Sequence, residues 1–425
     1  MSVAARLLGA PGALALLFVL YALPRALILL LPVEPSSDAS WYFNRAAAVA
    51  GGHGYSEDGV LTAFWPPGFA FMLAALFKVF GPWVPAGQLF NFVCALGTSW
   101  LTYDLGRRLF RSELAGRAAL LLLAIYPNNI AYVPLLLTEV FYTVLLLAGC
   151  WLLIVWRSAA GVVVGGLVFG VATLVKAQSL VVVPLIFAVA LARGFDRRQA
   201  LQAMGKTLAV IAVAIAVVTP WGYRNYQVFG EFVPVSTNGG LTLLTGNNSS
   251  ARGDYSYDDP LVTSIPRTVA TQLAVDKEAR RRAVQWIAEH PRRFLELLPL
   301  KLFRLWAPDG EAEHAFQLGY KTYERHVVAF RTVRYLNQAY YVCLLVGFAW
   351  AAVILLRGRV RVSEYRLDWW ILPYAIALYP TAIALVFSGQ SRFHYPVMPF
   401  VAMCSGWLLV AMCVPKPSAY AKVAC

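Results

Sequence analysis

Residues 137–193 read LTEVFYTVLLLAGCWLLIVWRSAAGVVVGGLVFGVATLVKAQSLVVVPLIFAVALAR, and this stretch decides the fold. It holds three apolar runs, and the only basic residues that interrupt them are Arg157 and Lys176. A helix needs about 20 mostly apolar residues to cross the hydrocarbon core of a bilayer. Three consecutive runs close to that length therefore predict membrane spans, although the second and third are short and their boundaries are soft.

Composition extends this prediction to the rest of the chain. Apolar residues make up 59% of the 425 residues and charged residues only 14%, against roughly 25% charged in ordinary soluble domains. The net charge of +14 comes from Lys and Arg that cluster in short connections, which argues against a nucleic-acid partner. None of the six cysteines forms a CxxC pair, so neither a zinc site nor a disulfide framework is indicated.

The hydrophobic pattern predicts an all-α polytopic membrane protein with about 10–12 transmembrane helices. The first apolar run is long for a signal peptide and is interpreted as a retained span. Ten spans are read from the sequence: 12–31, 86–106, 116–134, 137–156, 160–176, 178–193, 207–221, 335–356, 368–388 and 395–414.

Basic residues occupy every second short connection, and the alternate connections are nearly free of them. The positive-inside rule places the basic connections at the cytoplasmic face, with both chain ends on that side. The residues concerned are Arg107, Arg108, Arg111, Arg117, Arg157, Arg193, Arg197, Arg198, Lys206, Arg357, Arg359, Arg361 and Arg366, together with Arg6, Lys416 and Lys422.

Two long outer loops divide the chain into three regions. Residues 1–221 form an N-terminal transmembrane core that includes the first outer loop, 32–85, with juxtamembrane helices. Residues 222–334 form a second outer loop, and 335–425 form the C-terminal spans. In the second loop, Asp276–Trp306 has the pattern of a basic amphipathic helix. It either lies on the membrane surface with its basic face towards lipid phosphates or packs on the protein's own loop.

Two carboxylates at the outer face are candidates for chemistry. Asp38, in Ser36-Ser37-Asp38-Ala39-Ser40-Trp41-Tyr42, suits a general base, but it also suits a helix cap. Glu139 opens a span among Leu and Val, so it needs a polar cavity or a partner such as Asn128, Asn129 or an Arg.

Three cations share that face. Lys176 suits a phosphate contact or a lysine that snorkels to the membrane surface. Arg392, in Ser391-Arg392-Phe393-His394-Tyr395-Pro396, and Arg224, in Pro220-Trp221-Gly222-Tyr223-Arg224-Asn225-Tyr226, suit bidentate phosphate recognition. Either arginine is equally suited to pair with Glu139 or Asp38. The histidines His53 and His394 fit a titrating role or plain hydrogen bonding.

Taken in order along the chain, these motifs resemble the GT-C fold glycosyltransferases. The branch they are most similar to holds protein O-mannosyltransferases, the lipid A aminoarabinose transferase and rhizobial lipopolysaccharide glycosyltransferases. The further motifs that carry the resemblance are Gly52-His53-Gly54-Tyr55, Trp65-Pro66-Pro67-Gly68, Thr138-Glu139, Val175-Lys176 and Gly246-Asn247. The resemblance covers about residues 10–400.

The resemblance implies a polyprenyl-phosphate sugar donor and an inverting single displacement. Asp38 would take the acceptor proton, Glu139 would act beside it, and Lys176, Arg392 and Arg224 would hold the donor phosphate. Residues expected to contact the substrates are Tyr42, Tyr55, Trp65, His53, Asn225, His394 and Tyr395. Ala39 stands where some relatives have a second acidic residue. Metal dependence is therefore open: the motifs establish no cofactor, and a divalent cation (Mg²⁺ or Mn²⁺) is compatible with them.

The sequence thus predicts a multi-pass glycosyltransferase of the cell inner (cytoplasmic) membrane with its active site on the periplasmic or extracytoplasmic side. Its expected partners are membrane lipid, the polyprenyl-phosphate donor and a glycan, lipid or protein acceptor of the cell envelope, such as lipopolysaccharide. The alternative is a transporter or flippase of lipid-linked sugars, which would place charges at broken helices near the bilayer midplane. A non-catalytic scaffold is a third hypothesis.

Overall fold

The computed structural model describes residues 3–156, 158–192, 196–263, 267–358 and 369–413. Seven of the basic residues used above lie outside these ranges: Arg157, Arg193, Arg359, Arg361, Arg366, Lys416 and Lys422. The helices are α1 Val3–Gly9, α2 Ala13–Ile28, α3 Asp38–Ala50, α4 Gly68–Phe80, α5 Val84–Leu109, α6 Glu113–Ala124, α7 Pro127–Ala131, α8 Thr138–Val155, α9 Ala159–Val175, α10 Val182–Ala192, α11 Arg197–Phe229, α12 Gly239–Gly246, α13 Pro260–Thr263, α14 Val269–Glu289, α15 Pro291–Leu305, α16 Glu311–Gly319, α17 Val327–Leu356, α18 Leu372–Val386 and α19 Met398–Cys413.

The all-α prediction is confirmed. Within the described ranges, the β-structure in strands is one small hairpin of β1 Ser56–Glu57 and β2 Val60–Leu61. Short 3₁₀ segments lead into α10, α17, α18 and α19.

Five helical segments of the described chain are long and apolar enough to cross a membrane: Thr138–Val155, Arg197–Phe229, Tyr323–Leu356, Trp369–Val386 and Ser391–Cys413. Shorter apolar helices lie between them, among them α2, α4 and α9. Each of the ten predicted spans contains a helix. The span predicted at 116–134 is broken into α6 and α7, because Pro127 begins a new helix at its first turn.

Small residues let neighbouring helices approach closely where they cross. Gly166 and Gly170 of α9 face Val213 and Val217 of α11, and a Cβ at either glycine would lie 2.6 Å from the facing valine. Helix association in lipid depends on such close packing because lipid tails are as apolar as the helices. Substitution of either glycine would therefore push α9 and α11 apart.

The two long loops lie at the same end of the bundle, which we call the loop end. Val33, just after α2, forms an antiparallel bridge with Tyr320, just after α16. Thr62 in the first loop donates to Gln272 of α14 at 3.1 Å. The predicted helix Asp276–Trp306 is two helices, α14 and α15, because Pro291 starts α15 after a break at His290.

An intramembrane arginine that the sequence reading missed joins three elements. Arg25 of α2 is fully buried, and it donates to the carbonyls of Leu123 and Ala124 at the end of α6 and to Asn129 Oδ1 of α7 at 2.6 Å. The last carbonyls of a helix have no partner within that helix. Arg25 therefore caps α6, and its place inside the first span is the signal that could have revealed it.

Candidate functional site

A cavity of ≈ 440 Å³ lies beside several of the predicted residues. Its walls come from α8, from the turn after α9, from α12, from α18 and from the 3₁₀ segment Ser391–Val397. Tyr42, Trp65, Thr138, Tyr142 and Lys176 line it. The remaining wall is largely apolar, so the cavity can accept an amphiphile with its charged group near Lys176.

Glu139 and Lys176 form an ion pair at the edge of this cavity. Glu139 lies in the first turn of α8, and Lys176 follows the last residue of α9, so each side chain points from a helix end. Lys176 Nζ lies 3.2 Å from Glu139 Oε1, and Thr138 Oγ1 lies 3.3 Å from Glu139 Oε2. The partner that Glu139 requires is therefore Lys176 rather than Asn128 or Asn129.

Asp38 and Arg392 form a second ion pair. Arg392 Nη1 lies 2.5 Å from Asp38 Oδ2, although the two residues are 354 positions apart. Asp38 begins α3, while Ser37 occupies the cap position with a φ of 49° and makes no side-chain cap bond. The Asp38 carboxylate thus faces Arg392. Both residues line a smaller cavity of ≈ 60 Å³, together with residues of α16 and of the segment before α8.

The two ion pairs lie side by side. Arg392 interacts electrostatically with Glu139 as well as with Asp38. The ring of Phe393 lies between the cations, 5.4 Å from Lys176 Nζ and 5.4 Å from the Arg392 guanidinium carbon. The result is a row of alternating charges, with the larger cavity at its Lys176 end and the smaller cavity at its Asp38 end.

Aromatic rings of the first loop form the wall beside this row. Tyr42 packs edge-on against Phe69, and Trp41 contacts both Tyr42 and Trp65. Burial raises the pKa of the Tyr42 phenol, and the negative charges of Asp38 and Glu139 raise it further. The phenol therefore stays protonated and is available as a hydrogen-bond donor towards the cavity.

Arg224, predicted to hold the donor phosphate, does not line either of these two cavities. Its guanidinium donates to the carbonyl oxygens of Thr62 at 2.9 Å and Tyr55 at 3.1 Å, and to Asn225 Oδ1 at 3.1 Å. Asn225 in turn donates to the Val233 carbonyl. These donors are used to hold the first loop against the end of α11.

Four further candidates also lie away from the two cavities. The Tyr55 hydroxyl donates to the Trp65 carbonyl at 3.1 Å, which sets the position of Trp65. His53 is exposed on a shallow surface depression beside Asp58. The Tyr395 hydroxyl accepts from Asn129 Nδ2 at 3.0 Å. His394 Nε2 lies 2.8 Å from Asp309 Oδ1, in a buried pair that sequence reasoning missed because Asp309 carries no motif.

The residues of the described chain do not fit a divalent cation. No group of three or more His, Cys, Asp or Glu side chains in that part of the chain converges on one point. The Asp38 carboxylate is turned towards a guanidinium instead, and its chain neighbour is Ala39. No chemical step is therefore derived through a metal.

Part of this site lies within a stretch of sequence that matches a known protein family. Residues 65–223 match the family described as dolichyl-phosphate-mannose-protein mannosyltransferase. The match includes Trp65, Glu139 and Lys176 and excludes Asp38 and Arg392. No curated protein matches the chain.

Solved structures match nearly the whole chain. The Archaeoglobus fulgidus oligosaccharyltransferase AglB, in complex with an inhibitory peptide and a dolichol-phosphate, has a TM-score of 0.54 at 13% identity over 94% of this chain and 50% of that one. The same organism's oligosaccharyltransferase in complex with Zn and sulfate gives 0.55 at 15% identity, over 94% and 49%. ArnT from Cupriavidus metallidurans, bound to undecaprenyl phosphate, gives 0.46 at 14% identity, over 95% and 79%.

The chain spans about half the length of the archaeal enzymes. At these identities the likeness concerns the fold, and the sequence match adds the family over residues 65–223. The resemblance inferred from the motifs is confirmed at the level of the fold: the chain shares the fold of the archaeal oligosaccharyltransferases, and residues 65–223 match the dolichyl-phosphate-mannose-protein mannosyltransferase family.

Proposed function

We propose that this protein transfers a sugar, with inversion, from a polyprenyl-phosphate donor to a hydroxyl group of a glycan, lipid or protein acceptor. The observation that carries the proposal is the row of alternating charges that separates the two cavities. A phosphate bound to C1 of a sugar is a good leaving group, so the enzyme must supply positive charge and a base. Lys176, Arg392 and Asp38 supply both.

The larger cavity suits the donor. Its wall is mostly apolar, as a prenyl chain requires, and Lys176 places a point charge beside it. Arg392 lies on the far side of Phe393 and can meet the same phosphate with a planar guanidinium. Asp38 lines the smaller cavity, at the opposite end of the row of charges from the proposed donor cavity. The acceptor therefore approaches from the smaller cavity.

The ion pair of Asp38 with Arg392 implies that the donor binds before Asp38 can take the acceptor proton. While Arg392 binds the carboxylate, the guanidinium occupies Asp38 Oδ2 and keeps the acceptor hydroxyl from it. A donor phosphate that attracts Arg392 frees the carboxylate. Asp38 then takes the acceptor proton as the acceptor oxygen bonds to C1, the bond from C1 to the phosphate oxygen breaks, and polyprenyl phosphate leaves with the electron pair.

The proposed place of this reaction is the extracytoplasmic face of the cytoplasmic membrane. The support is the pattern of basic connections, which assigns the opposite end of the bundle to the cytoplasm. A cell-envelope acceptor such as lipopolysaccharide is consistent with that face. Mg²⁺ or Mn²⁺ dependence has no support from the described side chains.

The test is an assay of the purified protein in proteoliposomes with a panel of polyprenyl-phosphate sugars and a membrane extract as the source of acceptor. We expect one donor to be consumed, with release of polyprenyl phosphate and labelling of an acceptor. Movement of intact donor between leaflets, without release of polyprenyl phosphate, would instead identify a flippase and contradict the proposal.

A further inference from the structure

Helix α15 at the loop end has an unusual distribution of polar and apolar side chains. Its inward face buries Leu297, Leu305 and the whole side chain of Lys301. Lys301 Nζ donates to the carbonyl oxygens of Leu385 at 3.2 Å and Val386 at 3.4 Å, and to Asn247 Oδ1 at 2.7 Å. The last carbonyls of a helix lack partners within it, so Lys301 attaches α15 across the end of α18.

This attachment fixes the depth of α15. The segment Trp369–Val386 is one of the helices long and apolar enough to span the membrane. Its last residue, Val386, therefore lies near the level at which hydrocarbon gives way to headgroups. Since Lys301 contacts the carbonyl of Val386, α15 lies at that same level, across the end of the bundle.

The outward face of α15 is itself divided into two stripes. Leu295, Pro299, Leu302 and Phe303 follow one another at helical spacing, and Leu295 is 61% exposed and Phe303 64% exposed. Arg292, which is 94% exposed, lies within this stripe. The neighbouring stripe carries charge at Arg293, Glu296 and Arg304. Arg293 pairs with Glu296, and Arg304 pairs with Asp254. An exposed apolar stripe beside a charged stripe is the pattern of a helix that lies in a membrane interface.

The adjacent helix has a different exposed face. Helix α14 exposes mainly charged side chains, such as Glu278, Arg281 and Arg282, which pair with one another in solvent. Exposure of two leucines and a phenylalanine to water on α15 would leave on the order of 100 Å² or more unburied, at about 25 cal/mol per Å². A partner that is apolar on one side and anionic on the other removes that cost.

We propose that α15 is an interfacial anchor that binds the lipid surface at the loop end of the protein. The stripe of Leu295, Leu302 and Phe303 lies among acyl chains, while Arg293 and Arg304 contact headgroup phosphates. The charge complementarity and the depth set by Lys301 favour lipid over a protein partner. This inference does not depend on the proposed transferase activity.

The experiment is site-directed spin labelling of the full chain in liposomes of phosphatidylcholine and phosphatidylglycerol. Cys343, Cys413 and Cys425 are first replaced by serine, since the remaining cysteines are buried. Labels are then attached at Phe303→Cys and, as a matched control on the adjacent residue, at Arg304→Cys. We expect the label at 303 to collide with oxygen more than with a water-soluble nickel complex, and the label at 304 to show the reverse.

A second pair, Leu295→Cys and Arg293→Cys, repeats the comparison about two to three turns earlier and covers the case in which a variant at 303 or 304 fails to fold. Equal access of the nickel complex to both members of a pair would overturn the proposal, because the apolar stripe would then face water. A label at 303 or 295 that neither reagent reaches would also overturn it, since that stripe would be covered by protein.

Discussion

Two acid–base pairs of this protein involve the same short segment, Ser391–Val397, and differ in their surroundings. Arg392 pairs with Asp38 at 2.5 Å, and the two side chains are 21% and 27% exposed. Two residues later, His394 pairs with Asp309 at 2.8 Å, and these side chains are 0% and 4% exposed. The Asp38 pair is partly open to its cavity, whereas the His394 pair is nearly fully buried, although Asp309 borders a separate cavity of ≈ 310 Å³.

In the buried pair of His394 and Asp309, the polar side-chain atoms all have hydrogen-bond partners. The Leu305 carbonyl lies 2.7 Å from His394 Nδ1, and Asp309 lies at Nε2, so both ring nitrogens face acceptors. Asp309 Oδ2 also accepts from Tyr126 and Asn337. A pair so completely bonded fixes the segment in place, whereas the Asp38 pair can open to a substrate.

The largest expected effect comes from neutralising the open pair. Asp38→Asn should lower the rate of sugar transfer by about 10²–10⁴-fold, because the general base is lost. The thermal unfolding temperature should change little, since the pair is partly solvated. The measurement is initial rate together with unfolding temperature in detergent. Glu231→Gln, at an exposed ion pair with Lys277, is the control and should transfer normally. Normal turnover of Asp38→Asn would remove Asp38 from the mechanism.

Breaking the buried pair of His394 and Asp309 should have the opposite effect, with a loss of stability rather than of transfer. Asp309→Ala leaves His394, Tyr126 and Asn337 without their acceptor, and such losses destabilise a protein by about 3–5 kcal/mol. We expect a lower unfolding temperature, with transfer per folded molecule largely retained at low temperature. Glu231→Ala should cost less than about 1 kcal/mol. Unchanged stability with lost transfer would make Asp309 part of the reaction.

The sequence predicted the spans because apolar runs report membrane burial directly. Each of the ten predicted spans contains a helix, and the break at Lys176 between α9 and the 3₁₀ segment before α10 appears in the sequence as a lysine between two apolar runs. Helix ends were less predictable. The single helix expected over Asp276–Trp306 is interrupted because Pro291 outweighs the amphipathic pattern.

The sequence pointed to the charged residues of the site, but it did not show which acid would pair with which base. Asp38, Glu139, Lys176 and Arg392 stand out because charge near a span is costly. Which acid meets which base depends on contacts between residues 37 to 354 positions apart, and no local pattern encodes these. The contacts of Arg224 with backbone carbonyls were not predictable, because an arginine in an aromatic motif suits phosphate and backbone carbonyls equally well.

The pair of Lys176 with Glu139 sharpens the comparison, since it is more buried than the Asp38 pair yet borders a cavity. Lys176→Met should raise the KM for the donor about tenfold, because a charged contact to the phosphate contributes about 1.5–3 kcal/mol. Lys176→Met with Glu139→Gln separates this loss from the cost of leaving Glu139 unpaired. Donor affinity and KM are measured for both variants. A KM equal to that of the native protein in either variant would contradict a role of Lys176 at the phosphate.

The smallest expected effect concerns Lys301. Unlike the cations of the ion pairs, this buried lysine is bonded to neutral oxygens rather than to a carboxylate. Burial lowers its pKa to about 8, below the usual value near 10.5. The unfolded chain therefore binds more protons between about pH 8 and 10, so stability should rise with pH across that window. We expect the stability of the native protein relative to that of Lys301→Met, measured by unfolding temperature, to rise by the equivalent of about 1 kcal/mol from pH 8 to 9. The double difference removes the titration of other groups common to both proteins. A constant difference across the window would mean that Lys301 is not desolvated, and that the contact of α15 with the end of α18 is looser than its geometry indicates.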